Sequence, residues 1–220
     1  MAPFGTIYSY PNNPRVMKIQ ASANLNGLEL AMADFAMGQT NRSPEFLAKF
    51  PLGKVPAFET PDGVKLVESD AITQYVAESG PLAGQLLGST TTKRAQIRQW
   101  IAFADGEVLE PVMKLALWRV KLHPYNEAIE TASLARLERA LAYLEKHLAD
   151  RTWVATDELS LADITLAAAL VWGVSMSIDA EMRAKYPTVI SWYERVIESE
   201  GVKQAFGEKK YIEKREAPPS

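Results

Sequence analysis

Proline is spread so unevenly along this 220-residue chain that it divides the fold before any other feature is read. Eight of the thirteen prolines lie in the first 81 residues, and only three fall between residues 90 and 217. Proline lacks an N–H and clashes with the preceding helical turn, so it interrupts helix interiors. The first segment must therefore be built of short elements, while the second has room for long helices. Between them, Gly80-Pro81-Leu82-Ala83-Gly84-Gln85-Leu86-Leu87-Gly88-Ser89 reads as a helix stop followed by a linker. The expected organisation is a first domain over 1–81, a linker over 82–89, a second domain over 90–210 and a solvated tail over 211–220.

In the first segment, residues 6–10 (Thr-Ile-Tyr-Ser-Tyr) are β-branched and aromatic and end at Pro11, which predicts a strand. Residues 15–26 carry apolar side chains at Val16, Ile19, Ala23 and Leu25, with Gly27 placed to stop a helix. A strand follows over 28–34, then a short helix over 44–50 with Ser43 as N-cap and Pro44 in its first turn. Pro61-Asp62-Gly63 is a turn between strands at 55–60 and 64–68, and a helix over 70–79 closes the segment. The order β-α-β-α-β-β-α is thioredoxin-like. The second segment reads as all helix. Leu134, Leu137, Leu141, Leu144 and Leu148 form one apolar stripe, and Ser160-Leu161-Ala162-Asp163 is a capping box with Leu159 and Ile164 as its staple. The fold class is thus an α/β thioredoxin-like domain followed by an all-α domain.

Composition removes most chemistries. Without a single cysteine, the chain has no disulfides, iron–sulfur sites, thiol nucleophile or Cys-x-x-Cys redox motif. Two histidines, His123 and His147, leave little for a metal centre or a Ser/His/Asp triad, and no metal is expected. A net charge of −3 with no clustered basic face argues against nucleic acid as partner. The longest apolar run, 164–176, is shorter than the roughly 20 residues of a membrane span, and the N-terminus lacks a signal-like apolar core. A soluble, cytoplasmic protein without a membrane partner is predicted.

Three local features could carry chemistry. Lys54-Val55-Pro56 opens a strand with proline; were that bond cis, the Val55 backbone would face outward to pair with an extended peptide. Glu68-Ser69-Asp70 stands at a strand-to-helix junction. Read plainly, Ser69 caps the helix; read functionally, the helix amides hold a carboxylate while Glu68 holds an ammonium, as an α-amino-acid head group requires. The turn Tyr10-Pro11-Asn12-Asn13-Pro14-Arg15 offers an amide, a guanidinium and a helix N-terminus, donors suited to a developing anion such as a thiolate. An ordinary surface turn explains the same residues.

The run from Gly38-Gln39-Thr40-Asn41-Arg42-Ser43-Pro44 to Gly53-Lys54-Val55-Pro56-Ala57-Phe58, with Glu68-Ser69-Asp70-Ala71-Ile72, resembles the glutathione transferase family. Ile7-Tyr8-Ser9-Tyr10-Pro11, Gln99-Trp100-Ile101-Ala102-Phe103-Ala104-Asp105 and Ser160-Leu161-Ala162-Asp163-Ile164 extend the likeness over essentially the whole chain. Within that family it resembles the transferase-like domain of the translation elongation factor 1 gamma subunit. The resemblance implies glutathione as co-substrate with no other cofactor, a small hydrophobic electrophile as acceptor, and a homodimer through residues 93–107, where Ala95, Trp100, Ile101 and Phe103 offer apolar contact. It assigns Val55 and Pro56 to the cysteinyl backbone, and Glu68 and Ser69 to the γ-glutamyl end. Lys54 falls to the glycine carboxylate with Gln39 or Asn41 assisting, and Asp105 to the partner subunit's γ-glutamyl group. For the thiol, one register selects Asn13 and another selects Ser9 with Arg15. The acceptor's walls are expected around 113–118, where a core stripe explains the apolar residues equally well. The alternative role is a docking module without catalysis, assembled with other subunits of the elongation factor.

Overall fold

The computed structural model describes residues 2–219. Strand β1 (Gly5–Tyr8) lies second in a four-stranded sheet, parallel to β2 (Leu30–Met32) and antiparallel to β3 (Ala57–Glu59), which pairs antiparallel with β4 (Lys65–Val67). Alternation along β1 sends Ile7 to one face and Tyr8 to the other. Ile7 packs with Phe58 against Ile19 and Ala23 of α1 (Pro14–Leu25) and against Ile72 and Val76 of α3 (Ser69–Glu78). Tyr8 meets Phe46 and Phe50 beneath α2 (Pro44–Lys49), and its hydroxyl donates to Glu59 at 3.2 Å. The sheet is thus covered on both faces. The strands are shorter than expected: β3 begins only at Ala57, because Pro56 has no N–H for the ladder.

The remaining chain is helical, and two expectations there need correction. Segment 82–89 is no open linker, since it forms α4 (Ala83–Leu87) and buries Leu86 completely in the helical core. Nor is the segment after residue 210 wholly solvated. The Ile212 N–H donates to the Val174 carbonyl at 3.2 Å, Arg183 donates to the Ile212 carbonyl at 2.6 Å, and that guanidinium lies over the Tyr211 ring. A charge-rich sequence still docks when its carbonyls and one aromatic ring find partners.

Helix α5 (Thr91–Phe103) passes through a π-helical turn at Ala104–Leu109 into α6 (Glu110–Arg119). Pro111 cannot donate to the carbonyl one turn back, and the wide turn falls where that bond is missing. Arg136 of α7 (Glu127–His147) braces it, donating to the Gly106 carbonyl at 2.7 Å beside Glu107 and Glu110.

Helix α8 (Leu161–Met176) is buried on all sides over residues 161–170 and forms the axis of the molecule. Helix α1 packs on it from the sheet domain, and α5, α6, α10 (Pro187–Ile197) and the π-helical turn pack on it from the helical side. Its capping box forms as read: Asp163, fully buried, accepts from the Ser160 N–H at 3.1 Å and hydroxyl at 2.9 Å. It also accepts from the Val154 N–H at 2.8 Å and the Trp192 indole at 3.0 Å. Burial pushes its carboxyl above the usual range while these hydrogen bonds pull it down. Short helices α9 (Ala180–Lys185) and α11 (Lys203–Phe206) complete the fold, and no helix among the described residues is long and apolar enough to cross a membrane. Asp163→Ala should lower stability by about 3 kcal/mol or more, because several buried donors lose their acceptor at ~1–3 kcal/mol each. Equilibrium urea unfolding checks this, and a loss below about 1 kcal/mol would contradict it.

Candidate functional site

Three chain reversals meet at one edge of the sheet: the turn after β1, the loop before β3 and the junction of β4 with α3. They enclose a cleft of about 410 Å³ whose wall includes Tyr10, Arg15, Lys54, Val55, Pro56, Glu68 and Ser69. Met37, Leu52 and Val67 form its apolar rim, Leu52 with 71% of its surface exposed. The Val55–Pro56 peptide bond is cis. Gly53 sets the approach of this loop: at φ +59 an added Cβ would lie 2.8 Å from the Asn41 carbonyl oxygen.

The α3 junction differs from plain capping by Ser69. Ser69 is the first helical residue, and Glu68 occupies the cap position at φ 66 with no side-chain hydrogen bond to the helix amides. A non-glycine residue in this left-handed region is strained, and such outliers gather where a ligand is held. The first-turn amides are therefore left for another acceptor, in a helix whose dipole favours an anion there. The neighbouring Asp70 pairs with Lys18, a lysine of α1 only 2% exposed, so a part-buried ion pair locks α3 to α1.

On the opposite side the structure separates the candidates for the thiol. Asn13 is 2% exposed and engaged at both ends: its oxygen accepts from the Arg15 N–H at 3.0 Å, capping α1, and its amide donates to the Ser9 hydroxyl at 3.0 Å. Ser9 is buried beside it. Neither lines the cleft, whereas Arg15 and Tyr10 do. Burial raises the Tyr10 phenol above its ordinary value and Arg15 opposes this, so the phenol stays protonated near neutral pH. Tyr10 was missing from the sequence candidates, although alternation along 8–10 places it opposite the buried Ser9.

Among the remaining candidates, Lys54 is exposed on the cleft wall. Asn41 is a brace, accepting from the Gly38 N–H at 2.6 Å and donating to the Gly53 carbonyl at 2.8 Å. Gln39 is exposed away from the wall. Asp105 shares a void of about 10 Å³ with Arg15, Lys18 and Thr165 of its own chain. Trp100 and Ile101 are buried in this chain's own core, so the exposed residues of the dimer segment are instead Arg94, Ala95, Gln96, Arg98, Gln99 and Ala102 of α5 and Asp105 of the π-helical turn.

The region 113–118 lines neither the cleft nor a second cavity that adjoins its turn. Its Trp118 indole donates to Glu130 at 2.8 Å and packs on Tyr125, because α7 folds back over α6. The second cavity, about 390 Å³, lies instead between α1, α8, α10 and the chain after α11, and Asn12 of the β1–α1 turn stands in its wall. Among the described residues no cluster of three or more His, Cys, Asp or Glu side chains could hold a metal ion.

A thioredoxin-like domain carrying this cleft, joined to a helical domain through α1 and α8, defines the class of the glutathione transferases. The model of the glutathione S-transferase N-terminal domain matches residues 3–78 and that of the C-terminal domain matches residues 108–200. The chain belongs to the glutathione S-transferase family. It is 53% identical over 207 residues to the glutathione S-transferase-like protein LUC7 of a Fusarium species, covering 94% of both chains. It is 38% identical to elongation factor 1-gamma of Danio rerio, a match covering 96% of this chain and 47% of that protein. The crystal structure of the GST-like domain of elongation factor 1-gamma from Saccharomyces cerevisiae superposes with a TM-score of 0.86 at 25% identity, over 100% of both chains.

Because Asn13 is a cap and a brace, Asn13→Ala should cost about 1–2 kcal/mol of stability, the upper range for an N-cap. Chemical denaturation reads this directly, and an unchanged unfolding midpoint would show that the cap contributes nothing.

Proposed function

We propose that the chain is a glutathione transferase, joining the glutathione thiolate to a small hydrophobic electrophile. The observation that carries this is the charge order around the cleft. Lys54 stands on the loop before β3, and the uncapped α3 amides with Glu68 stand at the β4–α3 junction. Glutathione has a matching order: a glycine carboxylate at one end and a γ-glutamyl carboxylate and ammonium at the other. Val55 pairs its backbone with the cysteinyl residue between them, beside Pro56. The thiol then faces the β1–α1 turn, where Arg15 and the neutral Tyr10 phenol line the wall.

Arg15 and Tyr10 stabilise the thiolate directly, and the Asn13–Ser9 pair holds the turn beneath them. Lowering the thiol pKa by two units from about 8.5 requires ~2.7 kcal/mol, within reach of two good donors and the α1 N-terminus. The acceptor approaches from the second cavity, whose wall shares the turn through Asn12. Binding both reactants side by side supplies orientation, and a lowered thiol pKa supplies the nucleophile at neutral pH.

Calorimetry and thiolate absorbance test this together. Glu68→Ala should weaken glutathione binding by about 1.5–3 kcal/mol, the range for a hydrogen bond to a charged group. Arg15→Gln should raise the bound thiol's pKa, so that turnover falls at neutral pH and recovers as pH rises through the new value. Asn13→Ala should leave that pKa unchanged. If glutathione binds with an unshifted thiol, the second reading gains: a docking module without catalysis, which the likeness to elongation factor 1-gamma supports.

The proposed assembly is a twofold homodimer through the outward face of α5. Exposed Leu52 and Val67 at the cleft rim and Tyr143 on α7 supply the apolar area such an interface buries. Light scattering at micromolar concentration should give a mass near twice that of one chain, and a single-chain mass would refute the dimer.

A further inference from the structure

The loop after β2 presents an apolar side chain to solvent from a backbone pinned on both sides. Phe35 packs edge-on against Phe46, with ring centroids 6.0 Å apart. The Ala36 N–H donates to the Thr40 hydroxyl at 2.9 Å, and the Ala36 carbonyl accepts from the Gln39 and Thr40 N–H groups at 3.1 and 2.8 Å. The Gly38 N–H donates to the Asn41 side chain at 2.6 Å. Met37 stands between these anchors on the cleft wall, 58% exposed, and belongs to no core cluster among the described residues. The same Asn41, only 7% exposed, donates its amide to the Gly53 carbonyl at 2.8 Å. One buried asparagine therefore holds Met37–Gly38 beside Gly53–Lys54. Leu52 and Leu47 extend the apolar surface there, a Leu47 methyl lying 3.3 Å from where a Cβ on Gly53 would stand.

We infer that the thiol peptides taken by this cleft include γ-glutamylcysteinyl peptides whose third residue, in place of glycine, carries an apolar side chain packed on Met37. This rests on the glutathione reading of the cleft and concerns only the residue that bears the terminal carboxylate. With the γ-glutamyl end on Glu68 and Ser69 and the cysteinyl backbone on Val55, the third residue reaches Lys54, the cation of that loop. Its α-carbon then stands beside the carboxylate that Lys54 attracts, and a side chain leaving it has Met37 and Leu52 as its wall. Glycine has no side chain and leaves that surface wet. An apolar side chain covers it, and each methylene so buried is worth about fourfold in affinity. Methionine is unbranched and polarizable, so it fits several aliphatic shapes rather than one. A polar third residue gains nothing, because Tyr10, Arg15, Glu68 and Ser69 of the wall belong to the other two chain reversals. Leu52 is also offered to the proposed dimer interface, so the assignment rests on Met37.

Calorimetry with glutathione, γ-glutamylcysteinylserine and γ-glutamylcysteinylleucine, all reduced, tests this. Wild type should bind the leucine peptide about threefold to tenfold more tightly than glutathione, since an open rim covers only part of the side chain. The serine peptide should stay within about twofold of glutathione. In Met37→Ser the leucine preference should fall to about twofold or less, and in Met37→Leu, which keeps the apolar surface, it should persist. The exposure of this side chain makes both substitutions tolerable to the fold. A leucine peptide bound no better than glutathione by wild type, a serine peptide favoured as strongly, or a preference that survives Met37→Ser would overturn the inference. Loss of the preference in Met37→Leu would assign it to the loop backbone and overturn the inference too. A chain that binds glutathione without such a preference loses this assignment alone. One that binds none of the peptides loses the underlying reading as well.

Discussion

One buried carboxylate sets the geometry on which the rest of the molecule depends. Asp163 gathers the Ser160 N–H and hydroxyl, the Val154 N–H and the Trp192 indole around a single charge. Those bonds determine where α8 begins and tie it to the preceding loop and to α10. Because α8 is buried on every side over its first ten residues, any shift of its start moves all the helices packed on it. Helix α1 is among them, and α1 carries Arg15 and Lys18 to the cleft and to the void below it. The position of the candidate site is therefore set from the far side of the domain junction.

The cleft itself is assembled from places where backbone groups are left open. Helix α3 has no side-chain cap and Glu68 holds a strained φ, while α1 is capped from within by Asn13. The two helix ends facing the cleft are thus treated differently. The end facing the proposed γ-glutamyl carboxylate keeps its amides free, and the end facing the thiol is a rigid support that presents Arg15. The Lys18–Asp70 pair keeps the two in register on one face of the sheet.

Roles in such a site are limited by what each side chain has left to give. Asn13 and Asn41 are chemically able to meet a ligand, yet each spends its acceptor and a donor on the fold, Asn13 on Arg15 and Ser9, Asn41 on Gly38 and Gly53. Tyr10 and Tyr193 show the opposite case. They carry no signal of their own in sequence, but one lines the cleft and the other lines the second cavity.

Much was legible in the residues alone. Proline spacing separated short mixed elements from long helices, and the capping box at Ser160 and Asp163 and the leucine stripe of α7 follow from local periodicity and hydrogen bonding. Glu68, Ser69, Lys54, Val55 and Pro56 were grouped by the resemblance to the transferase family, and the folded chain places all five on the wall of one cleft. The packing of 82–89 and of the segment after residue 210 was not legible, since both dock through contacts with residues distant in sequence. For the same reason only the folded chain separates Arg15 from Asn13, turns Trp118 toward Glu130 and opens the second cavity beside Asn12. Sequence determines which groups are available and the periodicity of their backbone, because both are local. Tertiary structure decides which of those groups remain unpaired, because a hydrogen bond made within the fold is no longer open to a ligand.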